Sequence, residues 1–207
     1  MTILGACAGA LAAFIQVAAL SAMDPPTDHP AGTDNAVAPE EPADYWTGPI
    51  NGPVPTTLAG ATVTDTQTLS SLVKDGNVVL VEVSNLPHRP EKLAAGAVWL
   101  PKPHQVIPGS LWIPGAGVGN IAPDVDATYR DQLAHATNND LERQIVVYCH
   151  ERCWLSWNAA KRAVRYGYRN VHWYPDGIEG WTAAGLKSVI AEPSVGPFGS
   201  PTASGSQ

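Results

Sequence analysis

Two thiols stand four positions apart in the stretch Cys149-His150-Glu151-Arg152-Cys153-Trp154. The run before them, Ile145-Val146-Val147-Tyr148, is apolar, β-branched and of the length of a buried strand, and the residues after Cys153 read as a helix. A thiol at the carboxyl edge of a parallel strand faces the amino end of the next helix. Unpaired backbone N–H groups and the positive end of the helix dipole meet there. Both stabilise a thiolate, so Cys149 is expected to be a nucleophile with a pKa below the ordinary value of about 8.5. In an oxidising compartment Cys153 can close a disulfide with Cys149 if their Cα atoms lie within about 7 Å, or it can resolve an intermediate formed there. The bland alternative is an inert disulfide or two partly buried thiols.

Neighbouring residues carry two readings each. His150 and Glu151 either assist proton transfer or are ordinary loop charge, and Arg152 supplies positive charge from the loop. Glu82, in the run 78–83, is either a carboxylate supporting the loop or a solvated group at a strand end. Trp154, Trp157, Trp173 and Trp181 are core residues or an aromatic rim for a substrate or partner. A structural zinc site needs four ligands, and His88, His104, His135 and His172 show no ligand spacing around the thiols. The order Cys-His-x-x-Cys is not that of haem attachment. Gly115-Ala116-Gly117-Val118-Gly119 lacks the full phosphate-loop pattern and reads as a flexible loop. No metal and no cofactor are expected.

The elements that must position these groups alternate. Strand-like runs lie at 78–83, 110–113, 145–148 and 171–174, and helix-like stretches at 66–73, 124–136 and 154–166. Thr66 is expected to cap the first helix. In the last, Ala159, Ala160 and Ala163 suit close packing on a sheet, with Lys161, Arg162 and Arg165 turned outward. The fold class expected is α/β, a central, mostly parallel sheet flanked by helices on both faces.

The 207 residues hold 12 Lys and Arg against 19 Asp and Glu, a net charge of −7. That balance, without a basic block, excludes a nucleic-acid backbone binder. Three cysteines are too few for a disulfide scaffold. Residues 1–22 carry no charged side chain and end in Leu20-Ser21-Ala22, as a cleaved signal peptide would, although a basic start is missing. Residues 23–44 are rich in Pro and acidic residues and read as a disordered tether, residues 45–193 as one domain, and residues 194–207 as a flexible tail. The location expected is periplasmic.

Val147-Tyr148-Cys149, Ala159-Ala160, Gly167-Tyr168-Arg169-Asn170-Val171, Asp176-Gly177 and Trp181 resemble the rhodanese-like domain, and Ile107-Pro108-Gly109-Ser110-Leu111-Trp112-Ile113-Pro114 resembles its second-strand motif. More closely, residues 149–162 with Trp173-Tyr174-Pro175-Asp176-Gly177 resemble the exported CXXCW-motif proteins associated with PQQ-dependent catabolism, although the cysteines here are spaced Cys-x-x-x-Cys. The resemblance implies a persulfide on Cys149, held by loop N–H groups and passed from a small sulfur donor to a thiol acceptor. It also implies a setting beside a periplasmic quinoprotein dehydrogenase system. The helix alanines come one residue later than in the usual short loop, which implies an enlarged pocket. Leu155 stands near the place where phosphatase-like relatives carry a loop-closing Arg. Three functions follow: a sulfurtransferase using Cys149, a thiol–disulfide oxidoreductase using Cys149 and Cys153, and a non-catalytic accessory module.

Overall fold

The computed structural model describes residues 38–94 and 96–192. The expected signal peptide, most of the acidic segment and the tail lie outside them. The elements run β1 (Ala61–Val63), α1 (Thr66–Asp75), β2 (Val79–Glu82), β3 (Gln105–Val106), β4 (Leu111–Trp112), α2 (Pro123–Thr137), β5 (Ile145–Tyr148), α3 (Trp154–Arg165), β6 (Val171–Tyr174), α4 (Gly177–Ala183) and β7 (Val189–Ile190). β1, β6, β5, β2 and β4 form one parallel sheet in that order, and β3 pairs with β7 antiparallel. The α/β class with a central parallel sheet is therefore what the chain adopts. Among the described residues no helix is long and apolar enough to cross a membrane.

Side-chain alternation along the strands divides the core in two. Val81, Ile145, Val147, Val171 and Trp173 face α2 and α3, and pack with Tyr129, Leu133, Trp157, Ala159, Ala160 and Ala163. Leu80, Val146, Tyr148 and Tyr174 face the other way, with Leu69 of α1 and Ile178 and Trp181 of α4. The central strands are apolar on both sides because both sides are covered. The four tryptophans of the motif region are all buried, so the core reading holds for them.

Local expectations differ from the structure in four places. The cap of α1 is Asp65, whose carboxylate accepts the Thr68 N–H at 2.7 Å; Thr66 is the first helical residue. β1, α4 and the β3–β7 pair had no sequence signal beyond short mixed runs. Lys161 and Arg162 are buried, not turned outward, because residues 41–46 and 115–119 cover the outer side of α3. Lys161 donates to the Pro42 carbonyl at 2.7 Å, Arg165 pairs with Asp44 at 2.8 Å, and Glu41 accepts the Ala59 N–H at 2.8 Å, so these residues bond to the domain.

Finally, the 115–119 loop is held rather than flexible. The Arg162 guanidinium donates to the carbonyls of Ala116 (3.2 Å), Val118 (2.6 Å) and Gly119 (2.8 Å), and its plane lies over the Tyr45 ring. Gly117 passes so close to α3 that a Cβ there would sit 2.2 Å from the Leu155 carbonyl oxygen. Arg162→Met is expected to destabilise the domain by about 3–5 kcal/mol, since it leaves buried carbonyls without donors. Urea denaturation followed by tryptophan fluorescence measures it; a loss below about 1 kcal/mol would mean that water replaces the guanidinium.

Candidate active site

β5 delivers Cys149 at the carboxyl edge of the sheet, and residues 149–153 then turn back to start α3. Three surrounding segments hold the turn. Val83, just past β2, donates its N–H to the Tyr148 carbonyl at 3.1 Å. Ile178 of α4 donates to the Cys149 carbonyl at 3.0 Å, and the backbone there leaves no room for a side chain: a Cβ on Gly177, at φ +60°, would lie 2.3 Å from the carbonyl carbon of His150. On the far side residues 50–52 lie along the end of the turn. Gly52 N–H donates to Arg152 O at 3.0 Å and Trp154 N–H to Ile50 O at 2.8 Å. The first amide of α3 is thus spent on a protein carbonyl, not left open for an anion. Trp154 is buried and stacked on Trp46, with ring centroids 4.4 Å apart, which fastens this N-terminal arm to the turn.

Both thiols are free and buried, and their sulfurs are 2.7 Å apart. Cys149 donates its S–H to the Cys153 sulfur. That bond, with the N–H groups of Leu155 and His150 also directed at Cys153, holds the Cys153 thiol at about 7 in spite of burial. Cys149 is the opposite case. Burial, the proton it shares with Cys153 and the nearby Glu82 charge keep its thiol well above the ordinary range. The expectation of an amide-stabilised thiolate at Cys149 is therefore corrected: the loop amides converge on Cys153. The Cys153 sulfur is buried within the longer turn, against Cys149.

Glu82 is 1% exposed and supports the loop from beneath. Ser84 donates both its N–H (2.9 Å) and its hydroxyl to Glu82 Oε1, and His104 Nε2 meets Oε2 at 2.7 Å. The Ser84 hydroxyl also lies 3.3 Å from the Cys149 sulfur. His150 is at the surface, with Nδ1 2.7 Å from Glu179 Oε1, and Glu179 Oε2 accepts the Glu151 N–H at 2.8 Å. Burial raises the Glu179 pKa, but the His150 ring and that N–H outweigh it and hold the carboxyl below its usual range. The Glu151 and Arg152 side chains are exposed, Arg152 on a left-handed backbone at φ +53°. A cleft of ≈ 860 Å³ opens beside the turn, lined among others by Asn85, Trp99, Lys102, His104, His150 and Glu179. Among the described residues no group of three His, Cys, Asp or Glu could hold a metal ion.

Sequence reasoning missed Ser84, His104, Glu179 and the 46–52 arm. Only Ser84 left a trace, since the spacing Glu82-x-Ser84 puts two polar groups on one side of a chain leaving a buried strand.

The model of the rhodanese-like domain matches residues 65–184. The chain belongs to the rhodanese-like domain family. Among solved structures it is similar to thiosulfate sulfurtransferase from Pseudomonas aeruginosa, at 18% identity over 64% of this chain and 21% of that one, with a TM-score of 0.41. It is also similar to the polysulfide-sulfur transferase homodimer of Wolinella succinogenes (17%, 63% and 80%, TM-score 0.40) and to a human single-domain sulfurtransferase (23%, 60% and 96%, TM-score 0.36). The aligned part spans about a fifth of the Pseudomonas protein. No curated protein matches the chain.

Reactivity follows from where the proton sits. A thiol whose pKa is lowered to about 7 becomes a thiolate as pH rises through that value. Iodoacetamide should therefore label Cys153 with a midpoint near pH 7, and Cys149 only at much higher pH. Peptide mapping of the reduced protein checks this; first labelling at Cys149 would reverse the assignment.

Proposed function

We propose that this rhodanese-like domain is a sulfurtransferase that works with a pair of thiols. The observation that carries the reading is the contact of two free sulfurs, 2.7 Å apart, at the end of the central strand. A thiolate of the pair takes the outer sulfur of a small sulfane donor, forming protein–S–S⁻ while the donor leaves as its own anion. The persulfide sulfur then goes either to an external thiol or, when the second cysteine attacks, leaves as hydrosulfide with formation of a Cys149–Cys153 disulfide. Two external thiols return the disulfide to the dithiol and leave as their own disulfide. A persulfide confined to Cys149, as the family resemblance implies, fits this site less well, because that sulfur holds its proton.

The same contact favours a second reading, thiol–disulfide exchange with a disulfide substrate in place of the sulfane donor. The setting we propose is the periplasm, beside a quinoprotein dehydrogenase system of PQQ-dependent alcohol catabolism. Its support is the uncharged apolar segment 1–22 and the resemblance of residues 149–162 to exported proteins of that catabolism.

With thiosulfate or an organic persulfide, the reduced protein should release about one hydrosulfide per disulfide formed, read by methylene-blue assay and by a loss of about two mass units. The Cys149→Ser/Cys153→Ser double variant should release none. Disulfide formation with disulfides but never with sulfane donors would leave the exchange reading alone. For the location, cell fractionation should find a mature form lacking roughly the first 22 residues in the periplasm; full-length protein in the cytosol would remove that part of the proposal.

A further inference from the structure

We propose that Cys153 is the attacking thiol, and that Cys149 closes on it by passing its proton through Ser84 to Glu82, with His104 as the outlet to the cleft. The proposal rests on the reading that the pair exchanges sulfur, and it assigns the steps within that exchange.

The difficulty lies in the second step. Once Cys153 carries a substrate sulfur, Cys149 must give up a proton to attack, and the polar groups at its sulfur are Cys153 and the Ser84 hydroxyl. The structure supplies a route. The Ser84 hydroxyl is 3.3 Å from the Cys149 sulfur and donates to Glu82 Oε1, and Glu82 Oε2 meets His104 Nε2 at 2.7 Å. His104, 14% exposed and stacked on Trp112 with ring centroids 3.8 Å apart, lines the cleft. The series sulfur, hydroxyl, carboxylate, imidazole and cleft is continuous.

A buried carboxylate costs several kcal/mol in desolvation, and packing alone does not account for it. Leu80 fills the same face of β2 one pleat earlier, and an apolar residue at 82 would serve the core as well. The location under Cys149 gives the carboxylate a use. A negative Glu82 opposes a thiolate at Cys149, so the two charges are not tolerated together. Moving the proton from sulfur to carboxylate keeps the net charge of the pocket constant. The other groups around it do not compete for this proton. Tyr148 is held neutral far above its ordinary pKa by burial, with its hydroxyl bonded to Ser110 and the Ile107 N–H, and His150 across the turn is paired with Glu179.

The steps balance. The Cys153 thiolate attacks a disulfide or persulfide, R–S–S–R′, forming Cys153–S–S–R and releasing R′–S⁻. The Cys149 proton moves to the Ser84 oxygen as the Ser84 proton moves to Glu82. The Cys149 electron pair then forms the bond to the Cys153 sulfur, and R–S⁻ leaves with the pair of the broken bond. The cysteines lose two electrons, the substrate gains them, and Glu82 returns its proton through His104. Ser84 is the catalytic residue of this relay, since it touches the reacting sulfur; Glu82 and His104 are positioning residues that act through it.

Stopped-flow reaction of the reduced full-length Cys7→Ser protein with 2,2′-dithiodipyridine separates the steps, because Cys149 and Cys153 are then its two cysteines and each step releases one thiopyridone. Two phases are expected, and Cys149→Ser should stop after the first. Glu82→Gln and Ser84→Ala should slow the second phase at least tenfold between pH 6 and 8 and recover at high pH, where hydroxide removes the proton. Glu82→Asp should restore most of the rate. Far-UV circular dichroism reports the folded fraction of each variant, and Ser84→Ala changes no charge, so it carries the test if Glu82→Gln fails to fold. Closure in Glu82→Gln as fast as or faster than in the parent would overturn the relay. That is the result if Glu82 is only a repelling neighbour, since losing its charge frees the Cys149 thiolate. A first phase retained in Cys153→Ser and lost in Cys149→Ser would overturn the assignment of the attacking thiol. Sulfide release from thiosulfate is scored separately: a protein that closes through the relay but releases none keeps this inference and loses the sulfane reading.

Discussion

One hydrogen bond, from the Cys149 thiol to the Cys153 sulfur, sets what the rest of the site must do. Two sulfurs approach to 2.7 Å only if the chain is held on both sides of the turn between them, since thiol contact alone is a weak restraint. The strand end fixes Cys149, α4 holds its carbonyl, and the arm at residues 50–52 fixes the backbone around Cys153. The turn is therefore built by segments far apart in sequence, and residues 149–153 by themselves would have no reason to adopt it. Arg152 on a left-handed backbone shows the same dependence, because a non-glycine residue keeps that conformation only where its surroundings impose it.

Among the described residues Glu82, Lys161 and Arg162 are buried, and Arg162 and Glu82 follow different logic. Arg162 donates to three backbone carbonyls and welds the 115–119 loop to α3. Its role is complete in the folded state. Glu82 is satisfied by Ser84 and His104, and one of those partners also touches a thiol. Through that shared contact the carboxylate reaches the thiols, whereas the guanidinium donates to the 115–119 loop. The end of the sheet bearing the thiols carries polar side chains in a network, while both faces of the sheet are packed with apolar ones.

The α/β class and the central strands were legible because a buried parallel strand is a continuous β-branched run. β5 and β6 fall at 145–148 and 171–174, as their patterns require. The place of Cys149 was legible for the same reason: where such a run stops before a helix, the next residue lies at the carboxyl edge. β1, at an edge and only three residues long, has no such pattern, and α4 begins in a Pro-Asp-Gly segment that reads as a turn.

Residue type and spacing determined that two thiols would gather near one strand end; between the two readings of Glu82, the tertiary structure decided. Which sulfur carries the proton was decided only by tertiary structure. The amides of His150 and Leu155 and the charge of Glu82 act through space, on sulfurs whose burial depends on α4 and on an arm nearly a hundred residues upstream. The same holds for Arg162: its place on the helix suggested solvent, and the segments covering that face turned it inward. A pattern of apolar residues reports what the nearest elements must bury, because burial follows local periodicity. Proton positions and buried charges depend on distances between segments, and those exist only once the chain has folded.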